Sequence, residues 1–106
     1  MAKYLITASY TAEGMKGVVS KGGTDRRDAI AKAVADLGGQ VESFYFAFGE
    51  EDVYVVVDLP DNTSAAAIGM AVGASGMVRT KTVVLLTPEE IDRAAQKQVG
   101  YRAPGK

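Results

Sequence analysis

Residues 53–59, Val-Tyr-Val-Val-Val-Asp-Leu, form the most apolar run in the chain, and Pro60 closes it. Seven residues are too few for a core helix, and four valines favour extended backbone. A run this apolar belongs to a strand in the middle of a sheet, where both faces lose water. Proline has no N–H to give a ladder, so the strand stops at Leu59. A central strand needs a partner on each edge, and the rest of the chain must supply them.

Three other stretches qualify. Residues 3–10 alternate, with Tyr4, Ile6, Ala8 and Tyr10 on one face and Leu5, Thr7 and Ser9 on the other. Residues 40–48 set Phe44, Phe46 and Phe48 against Ser43, Tyr45 and Ala47, and Gly49-Glu50-Glu51-Asp52 reads as the hairpin turn into the apolar run. Residues 77–86 return as a last strand. Between these lie helical patterns. Thr11 is an N-cap for a short helix through Val18 and Val19, weakened by Gly14 and Gly17 and broken at Gly22-Gly23. Thr24 offers a second N-cap, after which Ala29, Ile30, Ala33, Val34 and Leu37 recur at helical spacing until Gly38-Gly39. Asp25 and Asp28 sit near the positive end of that helix. Asp61 or Asn62 caps a third helix of mostly Ala and Gly, running to about Ser75 before Gly76 ends it. Thr87-Pro88-Glu89-Glu90 combines an N-cap, a first-turn proline and a capping-box glutamate. Ile91, Ala94, Ala95 and Val99 give this last helix an apolar stripe, and residues 100–106 are expected to be irregular.

The order β-α-β-β-α-β with an extra C-terminal helix predicts an α+β fold, the ferredoxin-like plait, in which two right-handed split βαβ units interleave into a four-stranded antiparallel sheet. At 106 residues, without repeats or a linker, the chain reads as one domain spanning 1–106. Helices on one side leave the other sheet face open. If Val53, Val55, Val57 and Leu59 meet the helices, then Tyr54, Val56 and Asp58 point outward with Leu5, Thr7, Ser9 and Tyr45. An open face of this kind marks an interaction surface, so a homodimer or higher homo-oligomer is expected. The alternative is that the C-terminal helix folds over the face.

Composition removes many chemistries. There is no His and no Cys, which excludes Ser–His and Cys–His nucleophiles, thiolate metal sites and disulfides. A net charge of −1 sets up no field that would recruit nucleic acid, and the aromatic second strand lacks the Lys/Arg-Gly-Phe pattern of an RNA-recognition sheet. Neither a leader peptide nor a long apolar stretch is evident, so a cytoplasmic protein with no membrane partner is expected.

The remaining candidates are Tyr45, Tyr54, Asp58, Arg79 and Lys81, which could converge on the open face to hold a small polar ligand or move a proton. In the alternative, Asp58 pairs with Arg79 or Lys81 across a dimer and the tyrosines pack. Gly22-Gly23-Thr24 before Asp25-Arg26-Arg27 places guanidiniums at a helix start, an arrangement that suits an anion or simply a solvated first turn. Glu50, Glu51 and Asp52 gather carboxylates, but their spacing fits no cation loop; a solvated acidic turn is the expectation, with no metal site.

The stretches Tyr4-Leu5-Ile6 and Tyr10-Thr11-Ala12-Glu13-Gly14 resemble the opening of the GYD-domain proteins. Gly38-Gly39, Tyr45, Gly49 with Asp52, Asp58-Leu59-Pro60-Asp61 and the stretch Gly76 to Thr82 extend the likeness to about Leu86. The family takes its name from a Gly-Tyr-Asp element in the central hairpin, and Glu51 stands here where that tyrosine is expected. The resemblance implies a ferredoxin-like domain of the dimeric α/β-barrel group, two sheets packed face to face, with no established activity; no cofactor is expected. The functional expectation is a homo-oligomeric small-ligand-binding or interaction module. Its rival is a cofactor-independent isomerase- or oxygenase-like enzyme using Tyr45 and Asp58 as acid and base.

Overall fold

A computed structural model describes residues 1–106. The elements run β1 (Ala2–Tyr10), α1 (Ala12–Lys21), α2 (Gly23–Asp36), β2 (Gln40–Phe46), β3 (Val53–Leu59), α3 (Asn62–Ala74), β4 (Val78–Leu85) and α4 (Pro88–Ala95). All strand pairs are antiparallel and the sheet order is β2-β3-β1-β4, the order of the ferredoxin-like plait. The apolar run is therefore a central strand, as its composition requires.

The core lies between the sheet and the helices. Tyr4, Ile6 and Ala8 of β1, Val53, Val55, Val57 and Leu59 of β3, and Val78 of β4 meet Val34 of α2 and Ala65 and Ile68 of α3. Each fully buried Val, Leu or Ile contributes about 1.5–3 kcal/mol relative to an exposed one, so this layer carries most of the stability. Tyr4 is buried to its ring, and its hydroxyl donates to Asn62 Oδ1 at 2.6 Å, which ties β1 to the start of α3. Asp61 caps α3 by accepting from Ser64 N, and Thr87 and Glu90 form the reciprocal capping box of α4.

Several boundaries differ from those read in the sequence. α1 runs ten residues through Gly14 and Gly17, started by the Thr11 side chain, which accepts from Gly14 N. The Thr11 backbone N–H also donates to Met77 O at 2.9 Å, so the helix is anchored where β4 begins. α2 starts at Gly23 with Gly22 as its cap, and Thr24 is not the N-cap. Gly22 takes a φ of +92°, which turns the chain from one helix into the next within a single residue. At the far end of α2, Gly38 has a φ of +83°; Gly38 N donates to Ala35 O and Gly39 N to Val34 O, the paired bonds of a Schellman motif.

β2 ends at Phe46, and Phe48 lies beyond the strand, fully exposed. Ala47 N already donates to Asp52 O, so the turn begins before the phenylalanine alternation runs out. Val41 opposes Val57 while Ser43 opposes Val56, leaving Glu42 as a bulged residue. β4 is shorter by a residue at each end than the expected 77–86.

α4 does not fold over the open sheet face. None of its residues is buried, and Ile91 is half exposed. The molecule measures 57 × 33 × 23 Å with a radius of gyration of 16.9 Å, against about 13 Å for a compact chain of this length.

Candidate functional site

The sheet face opposite α1–α3 is built from four rows of side chains set by strand register. Gln40, Asp58, Lys3 and Leu85 form the first. Ser43, Val56, Leu5 and Val83 form the second, and Tyr45, Tyr54, Thr7 and Lys81 the third. Ser9 and Arg79 end the face, with the 49–52 turn beside them. The middle is apolar to amphipathic and partly exposed: Tyr45 keeps 70% of its surface, Val83 49% and Tyr54 39%, while Leu5 and Val56 are half-buried and Thr7 is buried. The two ends are charged.

At the first end, Lys3 Nζ lies 2.8 Å from Asp58 Oδ1 and 3.3 Å from Glu42 of the bulge, and Gln40 Nε2 donates to Asp58 Oδ2 at 3.4 Å. The hydrogen bond from Lys3 holds the Asp58 carboxyl below its ordinary value, and the same bond raises Lys3. At the opposite end, Ser9 Oγ donates to Glu51 Oε2 at 2.8 Å, and Lys81 Nζ sits 3.1 Å from Glu51 Oε1. The Ser9 bond and then Lys81 lower the Glu51 pKa. Asp52 accepts from Tyr10 N at 2.9 Å.

Register fixes which expected partners meet. Tyr45 and Tyr54 face each other directly. Asp58 is four residues along β3 from Tyr54, about 13 Å at strand rise, so Tyr45 and Asp58 do not meet as an acid–base pair within one chain. Within the chain Asp58 meets Lys3, and Arg79 and Lys81 lie toward the other end of the face. Arg79 has no carboxylate within ion-pair range, although its charge is felt by Glu51. The turn expected to be solvated is instead fastened to β1 and β4: the Glu51 side chain is only 14% exposed. Alternation places Ser9 on this face but names no partner for it, and Lys3 and Glu51 join it through pairings between strands distant in sequence, β1 with β3 for Lys3 and β1 with β4 beside the turn for Glu51. No group of three or more acidic side chains is arranged to hold a metal ion.

These linkages set a pH window. Glu51, Asp58, Asp61 and Glu90 all have depressed pKa values, Asp61 and Glu90 through backbone N–H donors of Ser64 and Thr87. A depressed carboxylate stabilises the fold fully above its unfolded pKa, and that stability is lost as pH falls through the folded value. Lys3, raised, stabilises fully below its unfolded pKa and loses that contribution as pH rises through the folded value. The urea midpoint is therefore expected to be flat at neutral pH and to fall below about pH 4 and above about pH 10.5. Asp58→Asn, which removes an acid-side contributor and the anionic partner of Lys3, should shallow both limbs. Unaltered limbs in that variant would refute the assignment.

Two interleaved split βαβ units, one covered face and one open face define a ferredoxin-like α+β domain. A family model for the GYD domain matches residues 4–95, and the chain belongs to that family. No curated protein and no solved structure gives a significant match. No helix is long and apolar enough to cross a membrane.

Proposed function

We propose that the chain is a homo-oligomeric interaction module in which the open sheet faces of two copies pack together. The observation that carries this reading is the open sheet face itself, where Tyr45, Tyr54 and Val83 stay exposed and α4 gives no cover. Leu5, Val56, Val83, Tyr54 and Tyr45 supply the apolar centre, and tyrosines are favoured at interface cores.

Sedimentation velocity across a dilution series tests the proposal. The expected result is a species of twice the chain mass that dissociates on dilution. Val56→Glu, at the centre of the face, should weaken association at least about tenfold by leaving a carboxylate in a dry interface. A chain ending at Leu86 should still pair, because the sheet face remains. A wild-type monomer at every concentration would end the reading. Pairing lost on truncation but untouched by Val56→Glu would move the contact to the exposed apolar stripe of α4.

A further inference from the structure

The helix-covered side of the sheet is not completely filled. α2, α3 and the sheet enclose a cavity of about 40 Å³ lined by 14 residues, 11 of them hydrophobic, including Ile30, Phe44, Val55, Ile68 and Val72. An outer groove of about 330 Å³ runs between α1 and α2. Tyr10, Arg26 and Val78 belong to both, so they form the partition between groove and cavity. Arg26 is the only charged residue in the cavity lining.

Arg26 is poised without a partner. Its guanidinium carbon lies 5.7 Å from the centre of the Tyr10 ring, and its Nε is shielded from solvent with no acceptor. A buried N–H donor left without an acceptor is unfavourable, and an incoming anion would satisfy it. Gly22 in the groove wall both ends α1 and starts α2, so the opposed helix ends offset one another and the guanidinium is left as the attracting group. Glu13 and Asp25 also line the groove, with Lys21. Their carboxylates disfavour a doubly charged ligand such as a phosphate monoester, whereas one carboxylate fits the planar fork of a single arginine.

We propose that this is a binding site for a small carboxylic acid with a short apolar end. The carboxylate accepts from Arg26, and the alkyl end enters the cavity beneath Ile30, Ile68 and Val72. The cavity volume limits that end to a few carbons unless Arg26 swings outward. The site lies on the helix side of the sheet, so it stands or falls separately from pairing through the open face.

Amide chemical shifts of the full chain, titrated with sodium hexanoate, 1-hexanol and hexylamine, test it. Hexanoate should give saturable shifts centred on Arg26, Ile30, Val55 and Ile68. The alcohol and the amine should bind at least about tenfold more weakly, since neither brings an anion to the guanidinium. Arg26→Met should lose that margin, and Val72→Phe, which fills the cavity, should weaken hexanoate while leaving Arg26 in place. Should Arg26→Met fail to fold, Arg26→Lys serves instead: it keeps the charge, loses the fork, and should fall between wild type and the alcohol. No saturable hexanoate shifts, equal binding of alcohol and acid, or shifts confined to the open face would each overturn the proposal.

Discussion

Gly39→Ala is expected to cost about 3 kcal/mol of unfolding free energy, read as a lower urea midpoint at unchanged slope. Gly39 is the last residue of the turn between α2 and β2, where the chain passes hard against β3. A methyl group there would meet the Asp58 carbonyl oxygen, Leu59 Cδ2 and Val34 Cγ1. The side chains have some freedom to give, but the carbonyl does not, because β3 is paired on both edges at Asp58. Moving away would break the bond from Gly39 N to Val34 O that closes α2. Gly17→Ala is the opposing control. It sits mid-α1 with nothing within 4 Å of the added carbon, and should gain about 0.5–1 kcal/mol from helix propensity alone. A cost at Gly39 below about 0.5 kcal/mol, in the range of ordinary surface substitutions, would show that the turn has slack.

The contrast between those two glycines shows where sequence reading reached and where it stopped. Alternation identified β1 and β2 and the continuous apolar run identified β3, whose faces were assigned correctly, since Val53, Val55, Val57 and Leu59 are buried while Tyr54 is exposed and Val56 and Asp58 are half-buried. A period of two survives any choice of neighbours. The caps at Thr11, Asp61 and Thr87 were legible because each is a local bond within three residues. The bulge at Glu42 was not, because it is a property of the β2–β3 pairing and not of either strand. The role of Glu51 was hidden for a similar reason. Ser9 and Lys81 are 42 and 30 positions away, and only sheet order brings them to the turn. Phe48 was misassigned because its alternation continues past the point where Ala47 pairs into the turn. The site suffered most from register: residue types chosen for their chemistry lie on one face, yet Tyr45 and Asp58 are two rows apart. Arg26 was noticed only as part of a charged helix start, since no sequence pattern reveals a cavity.

Leu59→Ala is expected to cost about 2–5 kcal/mol, the range for emptying a fully buried leucine site. Its place in the fold allows a sharper forecast than its size. Leu59 Cδ2 is one of the three groups that a methyl at position 39 would strike, so the two substitutions share a site and their costs should not add. The double variant Gly39→Ala/Leu59→Ala should be more stable than the sum predicts by about 0.5–1.5 kcal/mol, because the new methyl occupies space the leucine vacated. Relief should stop there, since the Asp58 carbonyl remains in the way. Full additivity, measured by urea unfolding of the four proteins in one cycle, would mean that Leu59 yields readily and that the carbonyl alone enforces glycine. Complete rescue would mean the reverse, that backbone at β3 moves aside once its side chain is gone, and the turn would then owe its glycine to Leu59.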